Sequence, residues 1–218
     1  MLVHGYAPLV MAVAACGATT VHTLRVPPQV GTLVVDDAAF AAFAGDVRHD
    51  VELDVRGLDP TSKRSKDERF VLAMLDALDD RWADAVAELD RLRDVETDPR
   101  AVAMTGLTIR VWADARAHGG DTIDAFRAAL ERAVASLPID LVRADLGMLR
   151  AMGQSFTPDV CRQLVDAEVG PHVRGGAVTD MQDIHAIVFQ RYAVKRLVQV
   201  GPTIDAVLGA HHIEPPSS

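Results

Sequence analysis

Apolar residues in this chain recur at three- and four-residue steps, in runs broken by Gly, Pro or Asp. That spacing follows the 3.6-residue turn of an α-helix and gathers the apolar side chains on one face. Phe40, Phe43, Val47, Val51, Val55 and Leu58 predict a long helix that starts at Asp36 or Asp37, whose side chain supplies the cap oxygen, and ends near Gly57. Reading Val51 to Val55 as a strand leaves the two phenylalanines unexplained. Phe70, Val71, Met74, Leu75 and Leu78, then Trp82, Val86, Leu89 and Leu92, predict an antiparallel hairpin over 66–96 that turns at Asp79-Asp80-Arg81. Asp98-Pro99 opens the next helix, with a capping carboxylate and a proline where the missing N–H costs nothing. Val102, Met104, Leu107, Ile109, Val111 and Trp112 make that helix apolar around most of its circumference, so it is expected to be the most buried.

Gly119-Gly120 ends this helix, Asp121 is the expected cap of the following one, and Ile123, Phe126, Leu130, Val134 and Leu137 carry its stripe to Pro138. A further helix with Leu141, Val142, Leu146, Leu149 and Met152 runs to Gly153, and Thr157-Pro158 repeats the cap-then-proline start. Residues 179–199 read as the last long helix, which Gly201-Pro202 separates from a short one. The expected fold class is all-α: antiparallel helical hairpins over 36–210 that form a bundle or a short array, followed by a disordered tail over 211–218.

Residues 1–24 contain no Asp, Glu, Lys or Arg, and the apolar run 7–15 has the length of a signal-peptide core rather than of a membrane span. Val13-Ala14-Ala15-Cys16-Gly17 follows it directly and resembles the lipobox of bacterial lipoproteins. The resemblance implies that residues 1–15 are a cleaved signal peptide, that Cys16 is the lipidated mature N-terminus, and that 16–35, with Pro27-Pro28, is a tether. It also implies an exported protein, periplasmic or on the outer membrane, that meets the bilayer through its lipid anchor alone. Cys16 and Cys161 are the only cysteines, so no disulfide framework exists. The neighbours Val160, Leu164 and Val165 place Cys161 on a packed helix face.

Trp82-Ala83-Asp84-Ala85-Val86 aligns with Thr122-Ile123-Asp124-Ala125-Phe126, and Leu89-Asp90-Arg91 with Leu130-Glu131-Arg132. These hairpins resemble tetratricopeptide-like repeats, whose stacked units bury a common core and leave a face for a protein partner. A fainter resemblance, carried by Leu89-Asp90-Arg91-Leu92-Arg93 and Leu130 to Pro138, links residues 66–200 to helical N-terminal regions of exported subtilisin-like proteases. It implies an accessory or pro-region-like part without the protease.

Asp46, His49 and Asp50 lie at i, i+3 and i+4 of the first long helix, a spacing that lets a carboxylate and an imidazole approach one divalent cation. They are weak metal candidates, because no third ligand from another element is identifiable; the expectation is no metal and no cofactor. The pair His211-His212 with Glu214 is a weaker candidate still. Asp183 and His185 are two positions apart, on different helix faces, which does not support an acid–base pair. No Ser or Cys has a placed base, so no catalytic residue is assigned and the chain is expected not to be an enzyme. A helical metal-dependent hydrolase built on Asp46 to Asp50 is the enzymatic alternative.

The net charge of −9 argues against phosphate-neutralising nucleic-acid binding. All of that excess lies in 36–98, with 18 acidic and 9 basic residues against 13 of each elsewhere. The reading that best joins these features is a non-catalytic protein-binding or scaffolding lipoprotein of the cell envelope. Its partner is expected to be another envelope protein, met through the acidic half.

Overall fold

The computed structural model describes residues 24–27, 29–93 and 99–216, with backbone alone for Arg93 and 99–103. The signal peptide, Cys16 and the Asp98 cap lie outside the described residues. The chain is all-α: α1 (Thr32–Val35), α2 (Asp37–Gly57), α3 (Lys63–Leu78), α4 (Trp82–Arg93), α5 (Pro99–His118), α6 (Ile123–Ser136), α7 (Ile139–Ser155), α8 (Pro158–Glu168), α9 (Met181–Tyr192) and α10 (Gly201–Ala210). Two short strands, β1 (Leu24–Arg25) and β2 (Ala177–Val178), pair antiparallel.

Short polar side chains start these helices, at Asp36 and Thr157 as the sequence suggests and at Ser62 ahead of the expected hairpin start at residue 66. The Asp36 carboxylate accepts from Ala39 N–H, and the hydroxyls of Ser62, Thr122 and Thr157 accept from Ser65, Ala125 and Val160. The cap of α6 is therefore Thr122 rather than Asp121, whose carboxylate lies near Arg116 and Arg196 instead. Asp80 turns the α3–α4 hairpin with a φ of 59°, a conformation Asp tolerates better than most side chains.

α3 packs against α2, α4, α5 and α9, and Phe70 to Ala77 are buried without interruption. Among the described residues the most buried helix is thus α3 rather than α5, whose Arg110, Asp114 and Arg116 reach the surface and form ion pairs. Consecutive helices from α2 to α6 pack pairwise, as in a hairpin array. The chain then returns: α9 lies on α3 and α1, and α10 on α7 and α6. A repeat array contacts only its sequence neighbours, so these long-range contacts make the body a closed bundle.

Two predicted boundaries move. Residues 24–35 are not a tether: Leu24, Val26, Val30, Leu33 and Val34 are buried in the core. Val26 N–H donates to Gly176 O at 2.8 Å, and Gly31 N–H to the Asp166 carboxylate at 2.7 Å. Nor is the start of the expected tail, residues 211–216, free. Ile213 is fully buried, and the carbonyls of His212 and Ile213 accept from Arg143 (2.9 Å) and Arg150 (2.6 Å).

The expected separation at Gly201 is present as a change of helix rather than as a loop: α10 begins there, after Val200 leaves the helical range at φ −107° and ψ 1°. α9 continues through a π turn (Ala193–Leu197) and a 3-10 turn (Val198–Val200) directly into α10. Gly201 and Gly153 also let α10 and α7 touch backbone to backbone, since a Cβ on Gly201 would strike the Gly153 carbonyl.

Candidate functional site

Two hollows lie along α2, one on its first half and one on its second. The first, of about 540 Å³, lies between α2, the end of α3, α9 and the π turn. On α2 its wall is made by the small residues Ala41, Ala44 and Gly45 with Phe40; across from them stand Arg191, Lys195, Arg196 and Gln199, and Arg48 closes one end. The second, of about 510 Å³, lies between α2, α3 and α4, where Arg56, Arg69, Arg81 and Arg91 alternate with Glu52, Asp76, Asp84 and Glu88. An ion-pair chain joins the two: Arg48 Nη1 donates to the buried Asp76 at 2.5 Å, and Arg81 pairs with the same carboxylate.

The cations of the first hollow are held from behind. Arg191 is buried, with Nη1 donating to Val34 O at 3.1 Å, its guanidinium 5.1 Å from the Phe40 ring centre, and Nη2 on Asp37. Arg196 lies over both Trp82 (5.0 Å) and Trp112 (5.7 Å), and it donates to Asp80 at 2.6 Å. Lys195 and Arg191 together hold the Asp37 carboxyl below the usual carboxylate range, through hydrogen bonds first and charge second.

The π turn presents these groups. It interrupts the regular ladder, and side chains take up the exposed carbonyls: Trp112 Nε1 donates to Arg196 O at 3.2 Å, and Gln199 Nε2 to Lys195 O at 2.8 Å. Single π turns inside α-helices occur frequently at functional sites.

The metal candidates do not assemble. Asp46 and His49 are exposed on α2, and among the described residues no group of three or more His, Cys, Asp or Glu could hold a metal ion. Of the terminal set, His211 and His212 are exposed and Glu214 lies 3.1 Å from Arg150. Asp183 and His185 are indeed separate. Asp183 meets His172 at 3.0 Å, which raises the imidazole pKa, while the His185 ring stacks on Phe70 (5.3 Å) and Phe189 (6.4 Å). Burial pulls His185 down to about 4, so it is neutral at pH 7. Cys161 is buried, and burial pushes its thiol up to about 11, the opposite of an activated nucleophile.

Sequence reasoning passed over Arg48, Arg191, Lys195 and Arg196. The one local signal was Arg191 and Lys195 at i and i+4, with Arg196 adjacent. Among the described residues no helix is long and apolar enough to cross a membrane. Comparison with known proteins gives no match to a family model, to a curated protein or to a solved structure.

Proposed function

We propose that this chain is a non-catalytic binding module of the bacterial cell envelope, exported and held at a membrane by lipid on Cys16, that receives a segment of another envelope protein. The observation that carries the binding role is the hollow between α2, α3 and α4. Its facing carboxylates and guanidiniums offer fixed charge of both signs to a complementary chain. Export and anchoring rest on the charge-free leader and the Val13 to Gly17 sequence.

Two experiments test this reading. A photo-reactive amino acid in place of Val55 or Ala87, both lining the hollow, is expected to crosslink a discrete envelope protein in cells. The same probe at the exposed Leu141 should not, and Arg56→Glu should abolish the product. Identical products at all three positions would overturn the assignment of the binding face. Labelled palmitate should enter the protein and be lost in Cys16→Ala; label that survives the substitution removes the anchor.

A further inference from the structure

The first hollow carries a separate inference, independent of the protein-binding role. Its cations share one arrangement, in which part of each guanidinium is fixed from behind and another part meets an exposed carboxylate at the rim. Arg48 holds the buried Asp76 with Nη1 and the exposed Asp79 with Nη2, at 2.8 Å. Arg191 holds Val34 O with Nη1 and Asp37 with Nη2, and Lys195 meets the same Asp37 at 2.7 Å. Exposure is lopsided: the side chains of Arg191, Arg196 and Arg48 are 5%, 12% and 19% exposed, while Asp37 and Asp79 are 73% and 62% exposed. The cations are preorganised and keep their inner partners, and the carboxylates facing them are exposed, so an incoming anion can take the place of each carboxylate on the same cation without leaving that cation unpaired.

Gly45 is a second observation. Glycine inside a helix costs roughly 0.5–1 kcal/mol relative to alanine, and close packing usually explains its presence. Here a Cβ would meet nothing within 4 Å, and the residue lines the hollow. The missing side chain leaves space rather than relieving a contact. The volume of about 540 Å³ falls in the range of small-molecule sites. Arg196 adds a buried Nε–H without an acceptor among the described residues.

We infer that this cavity binds a compact polyanion with at least two oxyanion groups, carboxylate or phosphate, which displaces Asp37 and Asp79 from Arg191, Lys195 and Arg48. Once those carboxylates are displaced, Nη2 of Arg48, Nη2 of Arg191 and the Lys195 ammonium are open to the oxygens of either group.

The test is a titration of the full chain at low ionic strength with two probes, citrate and inorganic pyrophosphate, followed by calorimetry and by amide shifts near Gly45 and Lys195. Saturable binding of either probe at about 1 mM or tighter is expected, and the tighter probe identifies the oxyanion class. Lys195→Gln should weaken binding about tenfold by removing a charged donor. Gly45→Leu should abolish binding with the thermal midpoint unchanged or raised, which separates a filled cavity from a broken fold. Asp37→Asn should tighten binding, because it removes the internal competitor. Absence of saturation with both probes, full affinity in Gly45→Leu, or weaker binding in Asp37→Asn would each overturn the inference.

Discussion

The His185 ring between Phe70 and Phe189 couples stability to pH. Its folded pKa of about 4 lies below the ordinary 6.5, so between these values the unfolded chain takes up the proton and the folded chain does not. Its contribution is therefore complete above pH 6.5 and is lost as pH falls toward 4, by up to about 3 kcal/mol. His185→Phe keeps the ring stack and removes the titration. Urea midpoints at pH 7 and pH 4.5 should then differ less in the variant than in the parent, and an equal difference would refute the assignment. Gly201 sets a steric limit of the same local kind. Gly201→Ala drives a methyl into the Gly153 carbonyl and should lower stability by about 1–3 kcal/mol, measured by thermal unfolding. The sequence marked both glycines as helix ends; Gly201 does begin α10, whereas Gly153 lies inside α7, because a helix end and a close approach call for the same residue.

At the scale of elements, periodicity and caps located the helices well. Asp36, Thr157 and the Asp79 to Arg81 turn lie where apolar spacing and side-chain chemistry put them, whereas α3 starts at Lys63 with Ser62 as its cap, ahead of the expected start at residue 66. Residues 24–35 were misread because a two-residue strand and a four-residue helix are too short to show a period, and their order comes from contacts with residues over a hundred positions away. The cationic hollow was illegible for a related reason: Arg48 and Arg191 meet only when α9 returns to the side of α2. The π turn is a testable element. Trp82 and Trp112, the only two tryptophans, both stack on Arg196, so Arg196→Ala should shift the emission spectrum and cost about 2 kcal/mol in the same unfolding curve. An unaltered spectrum would show that the stack is not formed.

Across the whole molecule, part of the acidic surplus of 36–98 is used internally. Asp37, Asp80 and Asp90 pair with Arg191 and Lys195, Arg196, and Arg110, all from the half of the chain that is balanced by count. The charge asymmetry seen in the sequence thus holds the two halves together, and the expected acidic docking face is smaller than its residue count suggests. The N-terminal segment contributes to the same closure. A chain that begins at Thr32 should unfold at lower urea than one that begins at Leu24, since it uncovers Val178 and removes Val26, and equal midpoints would contradict the packing described.

That packing also fixes a distance. If residues 16–35 were a free linker, a lipid on Cys16 could hold the bundle some 70 Å from a bilayer, at about 3.5 Å per residue. With Leu24 locked against Val178, only the steps from Cys16 to Leu24 remain, and they span at most about 28 Å. Acylation would therefore keep the β1–β2 edge close to the headgroups, leaving the bundle little freedom to move away from the bilayer.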